Sequence, residues 1–173
     1  MKFLFYICYN KNKLIMANAS DNKIPAKYIA PEFTISLKSK VKASERFQIS
    51  GSADCYEVFK EIFDADSIEW TETMIVIALS NANKVLGFYK ISSGGLAGTI
   101  CDPRIVYQFA LLSNASSLIL AHNHPSGSLK PSSADIAITK KIKAAGELMD
   151  IRLLDHLIIT TEGYASLADE GLM

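Results

Sequence analysis

His122-Asn-His-Pro-Ser-Gly-Ser-Leu-Lys-Pro-Ser-Ser-Ala-Asp135 follows directly on an apolar run, Ser117-Leu-Ile-Leu-Ala121. The run reads as a buried strand. Residues i and i+2 of a strand point to the same face, so His122 and His124 at its end form a ready chelate. The chain has three histidines, and two of them stand in this one tripeptide. That concentration argues against the ordinary case of a lone polar His at a loop. Asp135, eleven residues after His124, offers a third, hard ligand. Two imidazoles and one carboxylate leave a divalent ion, zinc most often, with an open position for water. Asp135 has a second reading. Ser132-Ser-Ala-Asp135 fits the S-x-x-[DE] box that opens a helix, with Ser132 as cap and Asp135 reaching back to the Ser132 amide. Pro131 suits the same helix entry. The two roles are compatible, because a capped helix start is a rigid place to hold a ligand.

Outward from this stretch, strands and helices alternate. Ser52 is expected to cap a helix whose apolar positions Cys55, Val58, Phe59, Ile62 and Phe63 keep helical spacing. Thr73-Met-Ile-Val-Ile-Ala-Leu79 is a continuous apolar run and predicts a central strand. Asn81-Ala-Asn83 then turns the chain into a second strand, Val85 to Ile91. Gly94-Gly-Leu-Ala-Gly98 lacks the strand-glycine-helix context of a nucleotide site and reads as a loop. Asp102 and Pro103 open a helix to about Ala115, with Asp as cap and Pro in the first turn. A helix from Ser133 to about Glu147 and a strand over 152–160 complete the domain. Before it, residues 1–30 read as a tail, and Phe33 to Val41 alternates like a half-exposed strand. The order suits an α/β layered domain.

His122-Asn-His124-Pro-Ser-Gly with Ser132-x-x-Asp135 resembles the H-x-H-P and S-x-x-D motif of the JAMM/MPN metalloprotease superfamily. With Leu153-Leu-Asp-His156 downstream, it resembles the RadC branch of that superfamily, over roughly residues 52–173. The resemblance implies a JAB/MPN-like α/β fold, a central mixed β-sheet flanked by helices in a cytidine-deaminase-like arrangement. It implies one Zn²⁺ per chain on His122, His124 and Asp135, and hydrolysis of a peptide or isopeptide amide by an activated water. It also implies a glutamate base at the first central strand. Glu69 and Glu72 both precede that strand, and Glu72-Thr-Met74 matches the family register, so Glu72 is preferred. Thr73 and Met74 depart from the polar or acidic residue and Phe often found there. Ser132 matches the family serine that donates a hydrogen bond to the developing oxyanion. Asp155 and His156 interrupt an apolar strand. They either orient a ligand from behind or form a buried polar pair that satisfies itself.

Composition bounds the alternatives. At 173 residues and 49% hydrophobic, the chain suits one domain with a real core. Three cysteines, Cys8, Cys55 and Cys101, are odd in number and form no CxxC, so neither a disulfide framework nor a thiolate zinc site is indicated. A reducing cytoplasm is the expected setting. The apolar stretch Phe3 to Cys8 is too short to span a bilayer, no signal-peptide cleavage site follows closely, and no membrane is expected as a partner. Met16-Ala-Asn-Ala-Ser20 reads as a more ordinary start.

Net charge is zero but uneven. Residues 1–50 hold nine Lys/Arg against three Asp/Glu, and residues 51–173 hold nine against fifteen. This divides a basic tail with its leading strand (1–50) from an acidic metal-binding domain (51–173). DNA contact through the basic arm is the sharper reading of that asymmetry, and a solvated segment is the favoured one. An acidic catalytic domain repels a phosphate backbone, which argues against DNA as its own substrate; a peptide or protein substrate is what the resemblance implies. The letters His-Asn-His do not make an HNH nuclease, whose ligands and base are spread along a hairpin. Zinc deaminases need His-x-Glu and Pro-Cys-x-x-Cys, and both are missing from the sequence. A DNA-repair accessory role finds no helix-hairpin-helix motif and no basic recognition helix. A non-catalytic MPN-like interaction module remains the non-enzyme alternative, although such scaffolds typically lack the ligands kept here.

Overall fold

The apolar run Thr73–Leu79 forms strand β1, and all seven of its residues are buried. A strand apolar on both faces needs cover on both, and the computed structural model supplies it for the residues it describes, 41–94 and 101–173. The basic tail, nearly all of the leading strand and Gly95–Gly98 lie outside those residues. β1 is an interior strand, second from one edge, in a five-stranded sheet of order β2-β1-β3-β4-β5, with β2 (Val85–Ser93), β3 (Ser117–Asn123), β4 (Arg152–Ile159) and β5 (Tyr164–Ser166). β1 runs antiparallel to β2 and β3. β3 and β4 are parallel, and β4 pairs β5 antiparallel. A parallel pair needs a crossover. Here it is helix α3 (Ser133–Glu147), so the segment after β3 returns across one face of the sheet.

Alternation along the strands divides the core. On one face Met74, Val76, Ala78, Leu118 and Leu120 pack with Val106, Tyr107 and Ala110 of α2 (Pro103–Leu112) and Ile142 of α3. On the other, Ile75, Ile77, Leu79, Ile119 and Ala121 pack with Cys55 and Phe59 of α1 (Ser52–Ile62). Among the described residues the result is a mixed sheet flanked by three α-helices, as the patterning and the resemblance predict.

Several boundaries differ from expectation. Ser52 does not cap α1; Gly51 occupies that position, and the Ser52 hydroxyl donates to Asp169 Oδ2 at 2.6 Å. Ser52 lies one residue inside the helix, so its hydroxyl is spent on a distant carboxylate and not on capping the first-turn amides. α2 ends at Leu112 rather than near Ala115, where Ser113 turns its hydroxyl back onto the Phe109 carbonyl. Asp102 caps α2 as predicted, accepting from the Arg104 amide at 2.9 Å. β3 runs two residues past Ala121, through His122 and Asn123, and β5 is an additional short strand.

Gly146 sits where α3 lies close against the chain beyond it. A Cβ there would overlap the Ile151 carbonyl oxygen and lie 2.5 Å from the Tyr107 hydroxyl, which itself donates to the Ile142 carbonyl at 2.7 Å. Backbone and a pinned phenol leave no soft side to yield. Gly146→Ala is therefore expected to cost about 1–3 kcal/mol or more, read as a lowered midpoint in thermal or urea unfolding. An unchanged midpoint would show that the α3–β4 connection relaxes freely.

Candidate metal centre

β3 ends in the site. His122 lies opposite Met74 of β1 and Ile158 of β4, and its side chain is fully buried. The His124 amide continues the ladder by donating to the Ile159 carbonyl at 3.0 Å. Strand alternation then turns both imidazoles to the α3 side, with their Nε2 atoms 2.9 Å apart. Asp135, third residue of α3, brings Oδ1 to 3.3 Å from His122 Nε2 and Oδ2 to 3.7 Å from His124 Nε2. The three predicted ligands are thus brought together, with donor atoms all within 4.8 Å of one another, and could hold a metal ion.

Hydrogen bonds behind the site decide which nitrogens carry protons. His124 Nδ1 is 2.7 Å from the Ser128 carbonyl, an acceptor only, so Nδ1 donates and the neutral ring presents an Nε2 lone pair. Gly127 at φ +75° makes the turn that brings Ser128 back to His124. For His122 the argument runs through two further residues. Thr139 Oγ1 donates its one proton to the Asp135 carbonyl at 2.5 Å. It must therefore accept from His156 Nδ1 at 2.6 Å. His156 Nε2 is then an acceptor and takes the Nδ1 proton of His122 at 2.9 Å, which leaves His122 Nε2 as a second lone pair. Two lone pairs 2.9 Å apart repel unless a cation lies between them. With a carboxylate beside them, these residues fit a divalent ion.

The electrostatics agree. Burial, reinforced by His122, pushes the His156 pKa down to about 3 and keeps that ring neutral. Asp135 raises the pKa of His124 above its ordinary value, chiefly by a hydrogen bond. Burial alone would raise Asp135, but when a proton takes the cation's place on the imidazole Nε2 atoms, hydrogen bonds from His122 and His124, with one from Ser132, outweigh it and hold the carboxyl well below the usual range.

Asp135, beside the two imidazoles, is also the capping partner of Ser132. Ser132 Oγ accepts from the Asp135 amide at 3.1 Å, and the Ser132 amide donates to Asp135 Oδ2 at 2.7 Å, a complete capping box. The Ser132 hydroxyl also donates to Asp135 Oδ2 at 2.6 Å, so any donation to another oxygen requires that bond to be exchanged.

Glu72 directly precedes β1. Extending the β1–β3 register by two steps from Met74↔His122 sets it opposite His124. Its charge acts on His124. Glu69 is exposed and accepts from the Thr161 hydroxyl at 2.9 Å.

The Asp155–His156 dipeptide splits across the sheet. His156 faces α3 and the site. Asp155 faces the other way and accepts from the Ser166 hydroxyl at 2.7 Å and the Ala168 amide at 3.1 Å. Ser166 and Ala168 flank the end of β5, so Asp155 ties that segment to β4, while His156 backs a candidate ligand. Thr139 was missed at the sequence level; its only local signal is its place one helical turn after Asp135.

The family described as "RadC-like JAB domain" matches residues 49–172. A UPF0758 protein of Flavobacterium johnsoniae is 47% identical over 125 residues, 72% of this chain and 53% of its own length. One of Salinibacter ruber is 38% identical over 138 residues, 79% of this chain and 58% of its own. One of Methanosarcina mazei is 34% identical over 173 residues, 95% of this chain and 74% of its own. The chain thus spans about half the length of the first of these relatives. Among the described residues, no helix is long and apolar enough to cross a membrane.

Proposed function

The chain belongs to the RadC-like JAB domain family, and from that premise we propose that it is a zinc-dependent hydrolase of peptide or isopeptide amide bonds. The observation that carries the reading is the convergence of two imidazoles and one carboxylate, and the charge of Glu72 acting on His124 supports the choice of base. A Zn²⁺ held by His122, His124 and Asp135 would supply Lewis acidity, lowering the pKa of a water and polarising an amide carbonyl. Glu72 takes a proton from the attacking water as the new C–O bond forms. It returns that proton to the amide nitrogen as the C–N bond breaks. Ser132 exchanges its bond to Asp135 for one to the carbonyl oxygen as charge develops there. Thr139 and His156 hold the His122 ring in the tautomer that ligates. The division proposed is residues 51–173 as the metal-binding domain that does this and residues 1–50 as a basic N-terminal tail with its leading strand.

Metal analysis of the purified protein, followed by a screen of the zinc-loaded form against a quenched peptide library and against DNA, tests the reading. Peptide cleavage abolished by a chelator is expected. DNA cleavage without any amide hydrolysis would overturn it.

The relay behind His122 has its own test. His156→Leu removes the acceptor for His122 Nδ1 and frees the ring to adopt the other tautomer. Loss of such outer partners typically weakens metal binding about 10- to 100-fold. Zinc affinity, measured by competition with a chromophoric chelator, should fall within that span; an unaltered affinity would remove His156 from the site.

A further inference from the structure

Asn123 separates the two histidines in sequence, and its side chain leaves the sheet on the face opposite theirs. It is completely buried. Its Oδ1 accepts from the Thr73 amide at 2.8 Å, and its Nδ2 donates to the carbonyls of Ile68 at 2.6 Å and Thr71 at 2.8 Å. Thr71 and Thr73 are the two neighbours of Glu72. One amide therefore grips the backbone on both sides of that glutamate, and the Gly94 amide holds the Glu72 carbonyl at 2.9 Å.

We infer that Asn123 is a positioning residue that sets Glu72 relative to the pair His122 and His124. The inference rests on the proposed role of Glu72 as base. Its physical content is one of registration. The His122-Asn123-His124 tripeptide points two ligands to the α3 face and, from the residue between them, fastens the segment that carries the base. A shift of β3 then moves ligands and base together. No other side chain does this as economically: an amide combines an acceptor for Thr73 N–H with donors for two carbonyls. Aspartate keeps only the acceptor, and an aliphatic residue leaves three buried backbone groups without their partner. The bracketing also explains how a residue outside any regular element holds a fixed place. Misplacement of a catalytic group by about 1 Å can cost 10²-fold in rate.

The test uses the full chain loaded with Zn²⁺ and four variants: Asn123→Ala, Asn123→Asp, Glu72→Gln and the double variant Asn123→Asp with Glu72→Gln. Zinc affinity of both Asn123 variants should stay within about threefold of wild type, because β3, Ser128 and His156 hold the imidazoles without Asn123. Amide hydrogen exchange over residues 68–73 should quicken roughly tenfold or more, with β3 and α3 unchanged. On a peptide cleaved by the wild type, kcat should fall about 10- to 100-fold with KM little altered. Adding Asn123→Asp to Glu72→Gln should cost nothing further, since the base is already gone. Asn123→Asp keeps the test open if Asn123→Ala does not fold. Losses that add in the double variant, zinc affinity that falls with them, or unchanged exchange over 68–73 would each overturn the inference. A wild type that cleaves no peptide overturns the hydrolase reading instead, and the exchange and zinc arms then still decide whether Asn123 holds the Glu72 segment.

Discussion

His122→Ala and Asp135→Ala are each expected to lose most of the metal from a protein that otherwise carries about one zinc per chain. The three donors lie within 4.8 Å of one another. Removing one leaves two ligands, too few to hold zinc against a competing chelator. Loss of an outer partner already costs about 10- to 100-fold in affinity, so loss of a ligand should exceed that. The pH dependence has a defined sign. Ligation requires a neutral His124 and an ionised Asp135. His124 is raised above its ordinary pKa by Asp135, so protons compete with zinc from above the usual histidine range, and affinity falls as pH falls through it. Asp135 is depressed, stays ionised across that range, and adds nothing to the slope. Zinc content by atomic absorption and chelator competition between about pH 8 and pH 5 measure both effects. Stoichiometric zinc in the double variant of His122 and His124 would sink the assignment.

Glu72→Gln should leave zinc content and fold unchanged and abolish turnover. Glutamine keeps the length and hydrogen-bonding reach of the side chain but cannot take a proton from water. Loss of a general base typically costs 10²- to 10⁴-fold in rate, about 3 to 5 kcal/mol of barrier. Glu69→Gln is the internal control. Its carboxylate serves Thr161 at 2.9 Å and lies on the exposed loop, so the variant should be close to neutral. Amide hydrolysis by wild type and both variants, with zinc measured in each sample, separates the cases. A dead Glu69→Gln beside an active Glu72→Gln would place the base three residues earlier. Absence of any amide hydrolysis in the wild type would favour a non-catalytic interaction module.

Features controlled by short-range geometry were legible in the order of residues alone. β1 over Thr73–Leu79 and α3 over Ser133–Glu147 fall where apolar runs and the capping box put them. The two-residue strand period was enough to place His122 and His124 on one face, because backbone alternation needs no tertiary partner. The S-x-x-D box likewise located Asp135 at a helix start.

Features that depend on strands meeting came from the folded chain. Asn123 finds its partners 50 to 55 residues away, and His156 reaches His122 across 34. Thr139 joins that chain from a helix whose crossing direction follows from the parallel β3–β4 pair. Asp155 and His156, adjacent in sequence, part to opposite faces, where one ties down the β5 segment and the other backs a candidate ligand. Ser52 abandons its local cap for Asp169, 117 residues on. A polar side chain's sequence states what it can donate or accept; which partner it meets is set by sheet order and register, and those are properties of the whole fold.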